Sequence, residues 1–587
     1  MTERSQSTRR WWTLPLVIAL VAATYWSGLS NGFVWLDQSE ILEEVLIVDE
    51  WSEVPGLFTN DRNNPGYHRP IYTLMHSFDK WLWGERPFGF LLSSLLLHLA
   101  NVALVCVILR QLMSSEWTAA LIALAWGLHP VNSAVVGLIH SKADLLFVFG
   151  GLCSVWFFLQ AVGEHGRRRR SIAWVLAVVA FALALLSKET ALAIIIVVIL
   201  VAGRPRFWSG AELPKRVTVS LRRFAAITWG IALLILALRI GSSSGELSTV
   251  SNGELYASTL SLGERVQTFA GVYTDYIRTL ILPLKLSIAD TVTAFSALDG
   301  GGQARVVASA AVAIALQCWA AVKYPWLRIW LVLFNVSLVP VAQLIPILHF
   351  RADRFLYLPS LAFVGGLVQC VEHALSKSGA HARHKFFATA FAILWIALAS
   401  GRIQLRLRDF KDDQALFGAE LNHTPDYLEG LSVLGRSLDR AGHHEPAGEL
   451  LRLSLQDYPG RISYLDKSGA VIAYSYNLLA RGRVEDAVEF LESFERLPAK
   501  PAHRDELDYN LAVARFRIGE VSSAFAGFDA YHSKYPADPS CLYFLGRSAM
   551  LLGKDERART ALSEYLQLSP NAPDRTEVEA WLEELGG

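Results

Sequence analysis

The 587-residue chain has 54 Lys and Arg residues against 54 Asp and Glu residues, so its formal net charge at pH 7 is zero, and 52% of its residues are hydrophobic. With a mean hydropathy of +0.32, it is too apolar for a soluble protein and too long for a single domain. The neutral balance also excludes the bulk positive field with which proteins hold nucleic acid.

Eleven apolar runs are long enough to span a membrane. The first follows Arg9 and Arg10 and lacks a small-residue cleavage site, so we interpret it as an uncleaved anchor. The sequence therefore predicts an all-α, polytopic bundle of about eleven spans in residues 1–402. The runs begin near residues 12, 88, 117, 145, 171, 189, 224, 304, 327, 356 and 385.

The distribution of Lys and Arg predicts the orientation of this bundle. Basic clusters such as Arg167 to Arg170 belong in cytoplasmic loops, so odd-numbered spans run outward. The loop 31–88, with ten acidic and four basic residues, then lies on the extracytoplasmic side. This topology requires segment 264–287 to lie along the outer interface, because charged residues interrupt its apolar run. The basic stretch that follows the last span violates the rule.

Residues 403–587 have a soluble helical pattern with a period near 34 residues. Small residues and a proline recur at matching places, which lets paired antiparallel helices approach closely and ends the second helix. We therefore predict a tetratricopeptide-repeat solenoid, with an unrelated helical bundle as the alternative. The recurring positions include Gly442, Ala447 and Pro459; Gly482 and Ala487; Gly519, Ala524 and Pro536; and Gly553, Ala558 and Pro570.

Asp37 is the first candidate for chemistry, because it is a carboxylate placed a few residues after a membrane helix. The alternative is simple solvation in an acidic loop, which is our interpretation of the other acids between residues 37 and 53. Arg69 precedes Pro70, which would begin the next helix. His129 follows the third span, and His140, Lys142 and Asp144 form a second polar group.

Lys188 and Glu189 separate two apolar runs. Ionisable groups so close to hydrocarbon indicate function, with an internal ion pair in a tight turn as the alternative. Farther along, Arg351 and Arg354 precede a span on the outer side, against the positive-inside rule. Arginine at such a place suggests an anion to bind, and phosphate suits its planar fork. We expect no metal site, since no His, Cys, Asp and Glu spacing is convincing.

These motifs together resemble the transmembrane and tetratricopeptide-repeat-containing O-mannosyltransferases and their bacterial relatives, within the GT-C class of polyprenyl-phosphate-sugar glycosyltransferases. The resemblance covers nearly the whole chain. Three departures stand out: relatives often have a second acid where this chain has Gln38, an acid where it has Ser133, and Arg where it has Lys142. The matching pieces are Asp37, the YHRP block, LHPVNSAVV with HSKADLL, the SKE turn, the LPLKLS segment and ADRFLYLPS.

The resemblance implies transfer of a sugar from a polyprenyl-phosphate donor to an acceptor hydroxyl, such as that of a protein Ser or Thr, with inversion. We expect Asp37 to be the general base. No cofactor besides the lipid-linked donor is implied, because the phosphate leaving group is already a stable anion. Arg69, Lys188, Arg351 and Arg354 would bind the donor phosphate, and His68, His129, Asp144, Glu189 and Tyr357 would position the reactants.

The repeats would hold a protein or glycan acceptor, or a partner protein, outside the membrane. We expect a bacterial inner-membrane protein, because the chain ends without a retention signal and departs from the eukaryotic pattern. The alternatives are a non-catalytic scaffold whose repeats recruit partners for envelope or surface-polysaccharide assembly, and a flippase for lipid-linked sugars. A flippase would need charges along a path across the bilayer, and the span interiors are nearly free of them.

Overall fold

The computed structural model describes residues 12–42, 47–48, 50–58, 68–163, 166–203, 214–242, 260–377, 382–463, 465–494 and 501–586. The chain forms two compact units. One comprises Met1–Pro425 with Pro459–Ser463, and the other comprises Asp426–Tyr458 with Tyr464–Gly587. Several charged residues to which the topology prediction referred lie outside the described residues, namely Glu43, Glu44, Asp49, Asp61, Arg62, Arg204 and Arg206.

In its described residues, the first unit contains α-helices, short 3-10 turns and one antiparallel pair of two-residue strands, Val292–Thr293 and Arg461–Ile462. Its α-helices are Thr13–Tyr25, Pro70–Trp83, Pro87–Leu112, Glu116–Gly127, Ser133–Gly137, Lys142–Val162, Arg167–Ser187, Ala193–Ala202, Lys215–Ser242, Leu262–Ile281, Gly300–Lys323, Arg328–Leu338, Tyr357–Lys377, Ala382–Asp409 and Asp413–Leu421.

Local sequence sets where several of these helices begin. Pro70 and Pro87 take the first helical position, where a missing N–H costs nothing. The Ser115 hydroxyl accepts a hydrogen bond from the backbone N–H of Thr118, and the Asp299 carboxylate accepts one from Gly302. Such caps satisfy N–H groups that the first turn leaves without an intrahelical partner.

Eight helices in the described part of the chain are long and apolar enough to cross a membrane. A ninth crossing results if Glu116–Gly127 and Pro130–Gly137, bent by 50°, form one broken span. Two shorter apolar helices, Glu189–Ala202 and Pro325–Val341, match the remaining predicted runs. The polytopic bundle is confirmed, with eight or nine helices of full spanning length among the described residues and two shorter apolar helices at the other predicted runs. The eight are Thr13–Ser30, Pro87–Leu112, Ile139–Val162, Arg167–Ser187, Lys215–Ala237, Gly300–Lys323, Asp353–Ser376 and Arg383–Asp409.

The segment 264–287 forms most of the helix Leu262–Ile281, which is not among these candidate spans. One face, including Val272 and Tyr276, is buried, whereas Arg278 on another face is exposed. A helix with this division is suited to a membrane surface, as the predicted topology requires.

The second unit consists of paired antiparallel helices. Gly442, Gly482, Gly519 and Gly553 have φ between +66° and +90°. Each stands between the two helices of a pair, where this backbone conformation requires glycine. The tetratricopeptide-like solenoid is thus confirmed. Its helices are Leu428–Arg440 with His444–Ser454, Lys467–Ala480 with Val484–Ser493, Pro501–Arg517 with Val521–Lys534, Pro539–Leu551 with Asp555–Leu568, and a final Arg575–Gly586.

The first unit extends beyond the predicted boundary at residue 402. That boundary falls inside the helix Ala382–Asp409, and Asp413–Leu421 also belongs to the first unit. Glu420, 3% exposed, accepts a 2.7 Å hydrogen bond from the Ser287 hydroxyl and pairs with Arg406. Buried polar bonds therefore hold these residues to the membrane bundle, which composition alone does not show.

Candidate active site

Charged side chains meet where five of the first unit's helices begin or end. Asp37 and Glu40 follow the first span, and Arg69 stands directly before the helix Pro70–Trp83. The others stand at the ends of the helices Lys142–Val162, Arg167–Ser187 and Tyr357–Lys377. We refer to this group as the polar cluster. Its members are Asp37, Glu40, Arg69, Tyr72, His140, Asp144, Lys188, Glu189 and Arg354.

Asp37 is buried, with 1% of its surface exposed. One carboxylate oxygen accepts a hydrogen bond from the backbone N–H of His140 at 2.8 Å and lies 3.2 Å from Nδ1 of that ring. The other oxygen accepts from the backbone N–H of Val34 at 3.2 Å. The carboxylate is therefore held in one orientation by His140, a partnership that sequence analysis missed although it singled out both residues.

Two of the predicted phosphate-binding cations have carboxylate partners from distant parts of the chain. Arg69 donates from Nε and Nη2 to both oxygens of Glu189, at 3.1 and 2.6 Å. Lys188 donates to Asp144 at 2.6 Å. The alternative interpretation of Lys188 and Glu189, an ion pair with each other, is therefore wrong. Neighbours in sequence point to different partners here, and both ion pairs join separate helices.

A third pair at this end of the bundle was not anticipated. Lys142 donates to Asp79, and both side chains are at most 1% exposed. Asp79 lies in the helix Pro70–Trp83, and the same carboxylate oxygen also accepts a hydrogen bond from the Ser93 hydroxyl at 2.8 Å. Since a buried charge is stable only with a partner, the pair explains why a lysine is accommodated at this place.

Arg354 differs from the other cations. Its guanidinium lies 3.0 Å from Nδ1 of His349 and over the Phe355 ring. Within the described ranges, no carboxylate lies within ion-pair distance of it. Its charge nevertheless acts on Glu40 and Lys188, so it faces the middle of the polar cluster. An arginine in this situation keeps hydrogen-bond donors that an anion can use.

Arg351 belongs to a different group. It pairs with Asp290, lies 3.7 Å from the carboxylate of Asp353, and is 3.4 Å from the Thr279 hydroxyl. Asp353 in turn accepts a 2.7 Å hydrogen bond from the backbone N–H of Ser287. The two arginines of the ADRF segment therefore have different surroundings, and only Arg354 faces the polar cluster.

Two predicted positioning residues face the protein interior instead. His129 Nε2 lies 3.1 Å from the carbonyl oxygen of Leu280. The Tyr357 hydroxyl lies 2.8 Å from His98 Nδ1 and accepts from the Asn101 amide at 3.2 Å. Both side chains are 1% exposed, so these contacts pack helices together. His68 is buried directly before Arg69.

Glu40 was expected to be solvated, but in the structure it is half-buried. Its carboxylate lies 2.7 Å from the Tyr72 hydroxyl. Burial raises the pKa of Glu40 to about 8, against the opposing effects of the Tyr72 hydrogen bond and the nearby arginines. The one sequence signal for a role of Glu40 is its position three residues after Asp37, which puts both residues in the short turn after the first span.

Comparisons with known proteins show what the chain is similar to. The family described as dolichyl-phosphate-mannose-protein mannosyltransferase matches residues 68–235. The chain is 28% identical to protein O-mannosyl-transferase TMTC3 of Mus musculus over 195 residues, which are 31% of this chain and 20% of that protein. It is 26% identical to protein O-mannosyl-transferase Tmtc2 of Drosophila melanogaster over 280 residues, 46% of this chain and 29% of that protein. ArnT from Cupriavidus metallidurans is a solved structure with 14% identity and a TM-score of 0.39, covering 83% of this chain and 81% of that one.

The family match contains Arg69, Lys188 and Glu189, whereas Asp37 and Arg354 lie outside it. The chain spans less than a third of the length of the two curated relatives. Over these segments the chain is similar to the protein O-mannosyl-transferases, which confirms the resemblance inferred from its motifs.

Proposed function

We propose that this protein is a membrane glycosyltransferase that moves a sugar from a polyprenyl-phosphate donor to an acceptor hydroxyl at the polar cluster. The observation that carries the proposal is Arg354, a guanidinium whose charge acts on Glu40 and on His140, the partner of Asp37, and that has no carboxylate within ion-pair distance among the described residues. The family match supports a phosphate-linked sugar as the donor.

In the reaction, Asp37 takes the proton of the acceptor hydroxyl while that oxygen forms a bond to the anomeric carbon. The bond from this carbon to the phosphate oxygen breaks, and the polyprenyl phosphate leaves with the electron pair. Attack opposite the leaving group inverts the anomeric centre. Arg354 stabilises the charge that grows on the phosphate, as a positioned donor does best where water is scarce. His140 holds Asp37 in the required orientation.

Arg69 and Lys188 would contribute to the positive potential around the phosphate, although each also has a carboxylate partner. Arg351, paired with Asp290, would act through the local fold instead. The names of the family and the relatives suggest mannose as the sugar and protein hydroxyls as acceptors. We place the polar cluster and the repeats outside a bacterial inner membrane, where the repeats would hold the acceptor or a partner protein.

The test uses the full-length protein in vesicles with radiolabelled polyprenyl-phosphate-mannose and a Ser/Thr-rich acceptor peptide. We expect transfer by the wild type and none by Asp37→Asn at equal membrane levels. Near-normal transfer by Asp37→Asn would rule out its role as the base. If the wild type neither binds the donor nor transfers sugar, the non-catalytic scaffold becomes the better description. A reporter fused near Pro459 that is located in the cytoplasm would contradict the shared outer face.

A further inference from the structure

We propose that Glu40 works as a neutral carboxylic acid in this site, and that its neutral form is what allows an anionic donor to bind beside Arg354. The inference rests on the proposed function and adds to it a positioning residue. It also predicts that the affinity for the donor depends on pH through Glu40.

The Tyr72 hydroxyl makes two short contacts with oxygen atoms. It lies 2.7 Å from a carboxylate oxygen of Glu40 and 2.9 Å from the carbonyl oxygen of His140. A carbonyl can only accept a hydrogen bond, and a tyrosine hydroxyl has one proton to donate. If Tyr72 donates to the carbonyl, both short contacts are hydrogen bonds only when Glu40 is protonated and donates to the tyrosine oxygen.

The surroundings of Glu40 favour the same form. Asp37 lies three residues earlier in the same turn, and its negative charge opposes a second one at Glu40. Arg354 and Arg69 oppose this effect, but Arg69 is already paired with Glu189. Burial is the largest influence and, in balance with these charges, raises the pKa of Glu40 to about 8.

The balance of charge explains why the neutral form matters for binding. Three of the local cations are matched by acids in the pairs Arg69–Glu189, Lys142–Asp79 and Lys188–Asp144. Arg354 and Asp37 then remain as one positive and one negative charge. An ionised Glu40 would add a second negative charge beside Arg354 and would repel a donor phosphate. A protonated Glu40 leaves Arg354 available and offers the phosphate a further hydrogen-bond donor.

The test measures the affinity of the full-length protein for polyprenyl-phosphate-mannose across a pH series centred on 8. This donor is a phosphodiester, so its own charge stays constant over the series. We expect the wild-type Kd to rise by about tenfold per pH unit above the midpoint, as for one group that must be protonated. Glu40→Gln, which is neutral at every pH, should bind with a flat profile. The control Glu50→Gln changes an exposed acid of the same loop and should keep the wild-type profile.

A Glu40→Gln profile with the same midpoint as the wild type would overturn the inference. So would a wild-type affinity that stays constant through pH 8 in a protein that transfers sugar. Failure of the proposed function is distinct, because the wild type would then bind no donor at any pH. If Glu40→Gln does not fold, the infrared band of a protonated carboxylic acid decides: the wild type should show it at neutral pH and lose it in alkali, and its absence at neutral pH would overturn the inference.

Discussion

The two arginines of the ADRF segment should respond to replacement in opposite ways. Arg354 has no carboxylate partner in the described part of the chain, so Arg354→Ala removes a charged hydrogen-bond donor without exposing a buried acid. A hydrogen bond to a charged group contributes about 1.5–3 kcal/mol, so donor affinity should fall by roughly 10- to 150-fold. The melting temperature of the detergent-solubilised protein should stay close to that of the wild type.

Arg351→Ala should instead destabilise the protein. It leaves the carboxylates of Asp290 and Asp353 without their cation, and Asp353 is only 1% exposed. Removing one partner of a buried pair costs about 3–5 kcal/mol. Thermal unfolding and donor binding, measured on the same preparations, separate the two effects. The reasoning is refuted if Arg354→Ala binds donor as the wild type does, or if Arg351→Ala loses binding while its melting temperature is unchanged.

Three further outcomes are expected. Asp79→Asn should lower the free energy of unfolding by about 3–5 kcal/mol, because it leaves the charge of Lys142 buried without its carboxylate. The double variant Asp79→Leu with Lys142→Met should cost less, because it removes both buried charges. Gly553→Ala should cost about 1 kcal/mol, because φ there is +66°, and Gly553→Asn should cost less. Folded Glu40 keeps its proton to about pH 8, whereas unfolded Glu40 releases it near pH 4.5. The free energy of unfolding should therefore fall as pH rises across that interval, and in Glu40→Gln its dependence on pH, measured by thermal unfolding, should be flatter.

Sequence patterns predicted the parts of the fold that depend on periodicity. Apolar length identified the spans, and the 34-residue period placed the turn glycines Gly442 and Gly553 correctly. Apolar length does not show where a helix bends or stops, so it does not determine how many of the eleven predicted runs cross the membrane in full. The run near residue 117 contains His129-Pro130, and its two helices diverge there by 50°.

Except for Glu40 and Tyr72, the residues of the polar cluster were predictable, because charge next to a membrane span is costly and therefore conspicuous. Their pairing was not predictable. Lys142 is matched by Asp79, 63 positions earlier, and Arg69 by Glu189, 120 positions later. Such partners are determined by how the spans pack. The contacts of His129 and Tyr357 were not predictable either, because a polar residue at a span end can also form hydrogen bonds with a neighbouring helix within the core.

The pairing itself separates the cations that support the site from those that can bind substrate. Arg69 and Lys188 each join two helix ends through a carboxylate, and breaking such a pair leaves a charge without compensation. A phosphate that displaced Glu189 from Arg69 would therefore gain one interaction at the expense of another. A phosphate that binds Arg354 would not have to displace a carboxylate, because the hydrogen-bond partner of Arg354 is the His349 ring. The residue that binds the donor phosphate most strongly should thus be Arg354, which has no carboxylate within ion-pair distance in the described part of the chain.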